Sequence, residues 1–158
     1  MSAAPDRGAI AWRAEPLTAL DATAVYALLR LRAAVFVLEQ ACAYLDPDGL
    51  DLVPGALQLL GCARDGALLA CARLLPPGVA FPEPSIGRVV VAREARGRGI
   101  AHALMREALA LCERHWPGQP IVIGAQQYLT GFYAGHGFVV EAEPYLEDGI
   151  PHVHMRRG

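Results

Sequence analysis

The sequence contains no apolar run of about 18 residues, no strong excess of charge of one sign and no closely spaced pair of cysteines. The first absence argues against a membrane-spanning helix. With a net charge of -2, the chain has no overall basic field to attract nucleic acid. The four cysteines, Cys42, Cys62, Cys71 and Cys112, lack the spacing of metal ligands, so we expect buried thiols and no metal.

The N-terminus also lacks a basic head followed by an apolar stretch, which is the pattern of a secretory signal. We therefore expect a cytoplasmic protein, since free thiols persist in that reducing compartment. The chain has 158 residues, of which 54% are hydrophobic and 19% charged, so it is too apolar to be disordered and long enough for one core. The sequence predicts a single domain over residues 1–158.

The first part of the chain predicts a strand followed by a helical region. The strand covers residues 10–15, and one or two helices follow, with Thr18 or Asp21 available as the N-terminal cap. Apolar side chains recur there at helical spacing, at Ala24, Leu28, Leu31, Val35 and Leu38. Residues 46–55, rich in aspartate, proline and glycine, then break regular structure.

The rest of the chain predicts a hairpin and then alternating strands and helices. The hairpin strands cover 56–64 and 67–75 and meet at Asp65-Gly66, a common turn dipeptide. After it we expect a strand over 86–92, a helix over 99–115, a strand over 121–124, a short helix over 129–134, a strand over 138–140, a loop over 144–151 and a strand over 152–155. This order implies a sheet that is partly antiparallel and partly parallel.

Two glycines and two arginines separate the strand over 86–92 from the helix that follows. The first N–H groups of a helix have no partner within it and, together with the helix dipole, favour a phosphate. Gly97 and Gly99 let the backbone approach such a group closely, while Arg96 and Arg98 add positive charge. The segment lacks the Lys-Ser or Lys-Thr of a Walker A loop and the GxGxxG of a dinucleotide fingerprint. It predicts another kind of diphosphate-binding loop.

Arg96-x-x-Gly99-x-Ala101, preceded by three valines and followed by an amphipathic helix, resembles the acetyl-CoA motif of the GNAT superfamily of N-acyltransferases. The segment Phe132-Tyr133-Ala134-Gly135-His136-Gly137-Phe138 is similar to the FYxxxGF signature of that superfamily. Further resemblance, to its ElaA-like subgroup, lies in residues 31–40, 46–51, 124–126 and 147–152. Ala101 stands where many members have glycine, and alanine also suits the start of a helix.

The resemblance implies an α/β fold in which a mixed, partly splayed sheet of about six or seven strands is flanked by about four helices. It implies acetyl-CoA as co-substrate, with no metal. The strand over 86–92 would splay from its parallel neighbour, so that free backbone groups near Val89 and Val91 pair with the pantetheine arm. The residues implied to contact acetyl-CoA are Val89, Val90, Val91, Arg96, Gly97, Arg98, Gly99, Ile100, Ala101, His102 and Gln126.

The resemblance also implies that Tyr133 lies near the cofactor sulfur and protonates or hydrogen-bonds the departing thiolate. An alkylamine is protonated at neutral pH and must lose a proton before it can attack, so a base or a water chain is needed. The strand over 86–92 carries no carboxylate for this task. The candidate bases are Glu39, Glu147 and His152, with Asp148 a weaker one.

We therefore predict an N-acetyltransferase that moves an acetyl group from acetyl-CoA to a primary amine on a small molecule, a peptide or a lysine side chain. Direct attack in a ternary complex is expected, because no cysteine has an obvious histidine partner. Two alternatives stay open. One is a non-catalytic acyl-CoA sensor, which the presence of Tyr133 disfavours. The other is an acyl-homoserine-lactone synthase, because residues 31–40 also resemble the start of that family. A homodimer is a further alternative to a monomer.

Two polar patterns are interpreted without a metal. Residues 46–51 are similar in part to a calcium-binding loop but lack its closing glutamate. We interpret them as a turn that lines the acceptor cleft, where their carboxylates, with Glu39 and Glu147, would suit a cationic amine. His152 and His154 share one face of a strand, yet no third ligand is spaced to join them.

Overall fold

A mixed sheet is the centre of the fold in the computed structural model, which describes residues 9–158. Residues 1–8, part of the N-terminal segment discussed above, lie outside the described residues. The strands are β1 Ala11–Glu15, β2 Leu57–Cys62, β3 Leu68–Leu75, β4 Ser85–Val91, β5 Ile121–Gln126, β6 Val139–Val140, β7 Tyr145–Glu147 and β8 Ile150–Arg157. The α-helices are α1 Ala22–Arg32, α2 Ile100–His115 and α3 Thr130–Ala134, and a π-helical segment, Ala33–Glu39, continues α1.

The sheet order is β1-β2-β3-β4-β5-β8-β6, and β7 also pairs with β8. Neighbouring strands are antiparallel except β4 and β5, which are parallel. The predicted α/β class with a mixed sheet is confirmed. Within residues 9–158 the sheet has eight strands rather than six or seven, and there are three α-helices rather than about four.

The prediction of a loop over 144–151 is wrong, because this segment forms a second hairpin. β7 turns at Asp148-Gly149 into β8, and Tyr145 pairs with His152. Asp148 and Gly149 have φ values of 50° and 75°, and positive φ at both central residues is what a tight type I′ turn requires. The turn therefore uses the same Asp-Gly dipeptide as the first hairpin. Pro144 and Pro151 lie at the two ends of the segment, and proline disfavours strands.

Helices cover both faces of the sheet. On one face, α2 packs its apolar stripe against β2, β3, β4 and β5; the stripe consists of Leu104, Met105, Ala108, Leu111 and Cys112. On the other face, Leu28 of α1 and Val35 of the π-helical segment pack against Leu60, Cys71 and Val90. Alternate residues of the central strands thus enter opposite core layers, as strand geometry requires. None of the helices within residues 9–158 is both long and apolar enough to cross a membrane.

The helix α1 begins as predicted and ends differently. Asp21 caps it, since its Oδ1 accepts a hydrogen bond of 2.8 Å from the N–H of Ala24. After Arg32 the helix widens, and the N–H of Gln40 donates to the carbonyl of Val35, five residues back. A wider turn rotates every later side chain around the axis. Leu38, which the helical spacing placed in the core, is consequently 81% exposed.

A cluster of ion pairs joins α1 to the loop over 46–51. Arg32 is fully buried; its Nε lies 2.8 Å from Oδ2 of Asp46, and its Nη1 lies 2.8 Å from Oδ1 of Asp51. Gln58 of β2 also donates to Asp51. Burial of Asp51 favours its neutral form, but the hydrogen bond and charge of Arg32 outweigh burial, so the pKa of Asp51 lies below its ordinary value. The pair therefore stabilises the fold above about pH 4 and weakens as the pH falls through that lowered pKa.

Two more arginines complete this arginine–aspartate cluster. Arg73 of β3 donates to both carboxylate oxygens of Asp48, at 2.8 and 3.0 Å. The Nε of Arg88 in β4 lies 2.8 Å from Oδ1 of Asp46. Three arginines thus face three aspartates, and the balance of charge makes their burial tolerable. The cluster ties the loop to α1, β2, β3 and β4.

Replacement of Arg32 by methionine should lower the free energy of unfolding by about 3–5 kcal/mol, because it removes a cation from two buried carboxylates. Urea unfolding followed by circular dichroism measures the change. Arg30→Met is the matched control, since Arg30 lies on the same helix and is exposed, and it should change the free energy by no more than about 0.5 kcal/mol. Equal effects of the two substitutions would show that the cluster does not stabilise the fold.

Candidate active site

The central feature of the site is a fork between β4 and β5. Ser85 and Val122 form the single residue pair between these strands in the described part of the chain, and beyond it they diverge. The splay that the family resemblance implied is confirmed. The fork, defined as residues 86–91 of β4 and 123–126 of β5, leaves the facing backbone edges of both strands without ladder partners.

An extra residue in β4 shapes one side of the fork. The register with β3 runs from Cys71 paired with Val90 to Arg73 paired with Gly87, so β4 uses one residue more than β3. Such a bulge re-aims side chains. Within it Arg88 has a φ of 50°, and its guanidinium carbon lies 5.0 Å from the ring centroid of Tyr44. The bulge therefore directs Arg88 into the arginine–aspartate cluster and onto an aromatic ring.

A cavity of about 500 Å³ extends across the fork. It is lined by β4 and β5, by the β7–β8 hairpin and by residues of the loop that follows the π-helical segment. Predicted site residues at this cavity are Val89, Gln126, Tyr133, Glu147 and His152, and Asp148 also lines it. Lining residues that sequence analysis did not select include Phe36, Tyr44, Phe81, Arg88, Tyr145 and His154. Of these, Tyr145 could have been found from the hairpin signal at Asp148-Gly149.

The loop over 46–51, which we expected to line the acceptor cleft, contributes Asp48 to the cavity, yet all three of its carboxylates pair with arginines. Asp48 accepts hydrogen bonds from Arg73 and Arg88 as well as from the N–H of Leu50. Burial raises its pKa, but the arginine hydrogen bonds outweigh this and keep the pKa below its ordinary value. The carboxylates of the cavity that lie outside the cluster are therefore Glu147 and Asp148, on the β7–β8 hairpin.

Tyr133 lies on α3 with its ring packed between aromatic neighbours. The ring centroids of Phe132 and Phe138 are 5.1 and 6.1 Å away, both in edge-to-face geometry. The residue is 8% exposed and lines the cavity. Burial raises the pKa of Tyr133 to about 12. The phenol therefore stays protonated at neutral pH and can act as a hydrogen-bond donor.

His152 has a defined hydrogen-bonding arrangement at the cavity. Its Nδ1 lies 2.7 Å from the carbonyl oxygen of Ile150, and a carbonyl can only accept, so Nδ1 carries the hydrogen. In the neutral ring Nε2 is then the nitrogen that can take a proton. Oε2 of Glu147 lies 3.7 Å from Nε2. The carboxylate therefore lies on the side of the basic nitrogen, while the N–H on the far side of the ring is held by the carbonyl of Ile150.

Glu39 lies apart from this pair, in an ion pair with Arg96. Nη1 and Nη2 of Arg96 donate to the two carboxylate oxygens of Glu39, and Nε donates to the carbonyl of Val91 at 3.2 Å. The hydrogen bond from Arg96 lowers the pKa of Glu39. Nearby, Gln126 of β5 donates to the side chain of Gln40 at 2.9 Å. These contacts fasten the end of the π-helical segment to both sides of the fork.

The backbone at the start of α2 has the open, left-handed glycines that the sequence suggested. Gly97 and Gly99 have φ values of 78° and 74°, and no described atom lies within 4 Å of the position that a Cβ would take on either. No described side chain caps the helix, which begins at Ile100. Its first N–H groups therefore have no capping side chain among the described residues. Beside Gly99, Arg98 and Arg106 line a further depression.

His102 and Val90, both predicted to contact acetyl-CoA, have side chains that contact other parts of the protein. Nδ1 of His102 lies 2.9 Å from Nε2 of His136, so the two rings share one hydrogen bond between α2 and the turn after α3. Burial lowers the pKa of His136, and the nearby His102 adds to this effect. The side chain of Val90 is buried on the α1 face of the sheet, and its backbone pairs with Cys71 of β3. No group of three or more metal-binding side chains occurs within residues 9–158.

A model of the acetyltransferase (GNAT) domain family matches residues 50–157. This span is more than half of the chain and includes the fork, the loop before α2 and Tyr133. The protein therefore belongs to the GNAT acetyltransferase family, whose members use acetyl-CoA as co-substrate and act on amine acceptors.

Within that family the chain is similar to ElaA. Protein ElaA of Escherichia coli strain K12 is 43% identical over 148 residues, which cover 94% of this chain and 96% of that protein. The crystal structure of Escherichia coli ElaA matches with a TM-score of 0.88 and 41% identity, over 95% of this chain and 100% of that one. A crystal structure of an acyl-CoA N-acyltransferase from Pseudomonas aeruginosa has a TM-score of 0.89 and 45% identity over the same shares. The predicted membership of an ElaA-like subgroup is confirmed.

Proposed function

We propose that this protein transfers an acetyl group from acetyl-CoA to a primary amine by direct attack in a ternary complex. The observation that carries the proposal is the fork, whose strand β4 ends just before the uncapped start of α2 and lines, with β5 and Tyr133, one cavity. Diphosphate, pantetheine arm and acyl group are arranged in this order in acetyl-CoA. The acceptor amine would enter the cavity from the side of the β7–β8 hairpin, where Glu147 and Asp148 suit a cation.

The residues present fit acetyl-CoA. The open space at Gly97 and Gly99 lets a diphosphate approach the first N–H groups of α2, and Arg98 and Arg106 provide charge beside it. The edge of β4 offers the backbone of Val89 and the N–H of Val91 to a pantetheine arm, since the carbonyl of Val91 already accepts from Nε of Arg96. Because Arg96 is paired with Glu39, we assign it to holding the loop rather than to binding phosphate. A fixed N–H that faces the thioester oxygen can contribute about 3 kcal/mol to the transition state.

Gly99→Val should weaken acetyl-CoA binding at least about tenfold, because a branched side chain blocks the approach to the α2 N-terminus and disfavours the left-handed backbone. Isothermal titration calorimetry measures the affinity. Gly118→Val is the matched control, since Gly118 has a φ of 73°, equally open space and a place at the opposite end of α2. Valine at position 118 strains the backbone to a similar extent but lies away from the proposed diphosphate site. The acetyl-CoA affinity of Gly118→Val should therefore equal that of the wild type. A wild-type protein that gives no heat with acetyl-CoA would refute the proposed function.

The chemistry requires a base for the amine and a donor for the leaving thiolate. Of the three candidate bases, His152 and Glu147 line the cavity, whereas Glu39 is paired with Arg96 and its lowered pKa makes it a weaker base. We assign the base role to His152, with Glu147 stabilising the imidazolium that forms. Tyr133 donates a hydrogen bond to the thiolate. Full proton transfer from a phenol with a pKa of about 12 to a thiolate is uphill, since a free thiol has a pKa of about 8.5.

Tyr133→Phe should lower the rate of thiol release more than about tenfold while leaving acetyl-CoA affinity within about twofold, because the ring packing is kept and the hydroxyl is lost. The rate is measured with a thiol reagent across a panel of amines. Tyr128→Phe serves as the control, because Tyr128 is 72% exposed. Wild-type turnover by Tyr133→Phe on an accepted amine would remove Tyr133 from the mechanism.

His152→Gln should lower turnover about tenfold or more at pH 7 and recover it as the pH approaches the amine pKa of about 10.4, where the free amine needs no base. The measurement is a pH profile of thiol release. His115→Gln, at an exposed position at the end of α2, should follow the wild-type profile. A constant ratio between His152→Gln and wild type at every pH would contradict the base role.

The same assays separate the alternative functions. Binding of acetyl-CoA without thiol release on any amine would favour the sensor, and release confined to S-adenosylmethionine would favour the lactone synthase. The geometry favours catalysis over sensing, since a buried tyrosine and a histidine–carboxylate pair share one cavity with the fork.

A further inference from the structure

Tyr145 occupies the space above a glycine at the fork. A Cβ built on Gly124 would lie 2.8 Å from the hydroxyl oxygen of Tyr145, so that oxygen takes the place of a side chain on β5. The tyrosine ring is held over the sheet by two histidines of β8. It stacks on His152 at 5.8 Å and meets the edge of His154 at 4.8 Å. Its position is therefore fixed by packing and by the tight turn of the β7–β8 hairpin.

The fork is closed at the Ser85–Val122 pair and open at the other end, and Gly124 lies close to the closed end. It comes two residues after Val122, which pairs with Ser85, so in a parallel register it is level with Gly87 on the opposite strand. On that side the space is open, because no described atom lies within 4 Å of a Cβ built on Gly87. At this end of the fork the Cβ position on β4 is thus unoccupied, whereas the hydroxyl of Tyr145 occupies the one on β5.

The direction of an acyl-CoA in the fork follows from the position of α2. A diphosphate at the start of α2 lies at the open end of the fork, since the loop over 96–99 follows the end of β4. An arm that pairs with Val91 and then Val89 runs back along β4 towards Gly87. The acyl group is then carried to the closed end, next to Gly124 and Tyr145.

We propose that Tyr145 ends the acyl site and restricts this protein to short acyl groups such as acetyl. The inference rests on the proposed binding of acyl-CoA in the fork. A chain of several more carbons would have to occupy the volume of the Tyr145 ring, which His152, His154 and Gly124 hold in place. Tyr145 acts here as a specificity-determining residue.

The test compares the affinities of acetyl-CoA and hexanoyl-CoA by isothermal titration calorimetry, which needs no acceptor. Each methylene that a site can bury raises affinity about fourfold. Wild-type protein should gain nothing from the four extra methylenes and bind hexanoyl-CoA no more tightly than acetyl-CoA. Tyr145→Ala should shift the ratio at least about tenfold towards hexanoyl-CoA. Tyr145→Leu, which keeps an apolar side chain in the hairpin, should shift it in the same direction if the alanine variant fails to fold.

Two controls fix the interpretation. Tyr145→Phe retains the ring and should leave the ratio within about threefold of wild type, and Tyr26→Ala, at a site on α1 that is 70% exposed, should leave it unchanged. The proposal is overturned if the folded Tyr145→Ala or Tyr145→Leu protein binds both thioesters with the wild-type ratio, or if wild type prefers hexanoyl-CoA. Absence of heat with either thioester would instead refute the acyl-CoA site itself, and this assignment with it.

Discussion

The separation of β4 from β5 after one residue pair is the constraint on which the rest of the site depends. A parallel pair of central strands normally continues its ladder, and here the ladder stops where the cavity starts. The backbone groups freed by the divergence need partners, because unpaired polar groups away from water are costly. A ligand with amide groups along an extended arm provides such partners. The bulge at Arg88 and the glycines at 87 and 124 all lie at this divergence, on one strand or the other.

The arginine–aspartate cluster holds the other wall of the cavity in place. It connects the loop over 46–51 to a helix and three strands through four buried side chains and two partly exposed ones, those of Asp48 and Arg88. With charge balanced inside the cluster, the carboxylates left to attract a cationic acceptor are those of the β7–β8 hairpin. Of the carboxylates expected to suit a cationic amine, those of residues 46–51 and Glu39 are paired with arginines, and Glu147 lies outside these pairs.

Much of the fold follows from sequence patterns, and the departures have local causes. The bounds of α2 and of the first hairpin agree with the predicted bounds within one or two residues, because each combines a periodic apolar pattern with a distinctive turn. The second hairpin was missed because prolines at 144 and 151 outweighed the signal at Asp148-Gly149. The positions of Tyr133, Glu147 and His152 around one cavity could not be derived from spacing. They come from three elements that meet only through the sheet order.

That Arg96 is the partner of Glu39 could not be derived from the sequence, because the rotation of the π-helical segment decides which side chain faces the loop before α2. That rotation affects how the segment is compared with other chains. A π-turn is equivalent to an α-helix with one inserted residue. An alignment that treats residues 22–39 as an uninterrupted α-helix therefore shifts every position after Val35 by one. Such an alignment would place the exposed Leu38 at a core position and would misplace Glu39, the partner of Arg96.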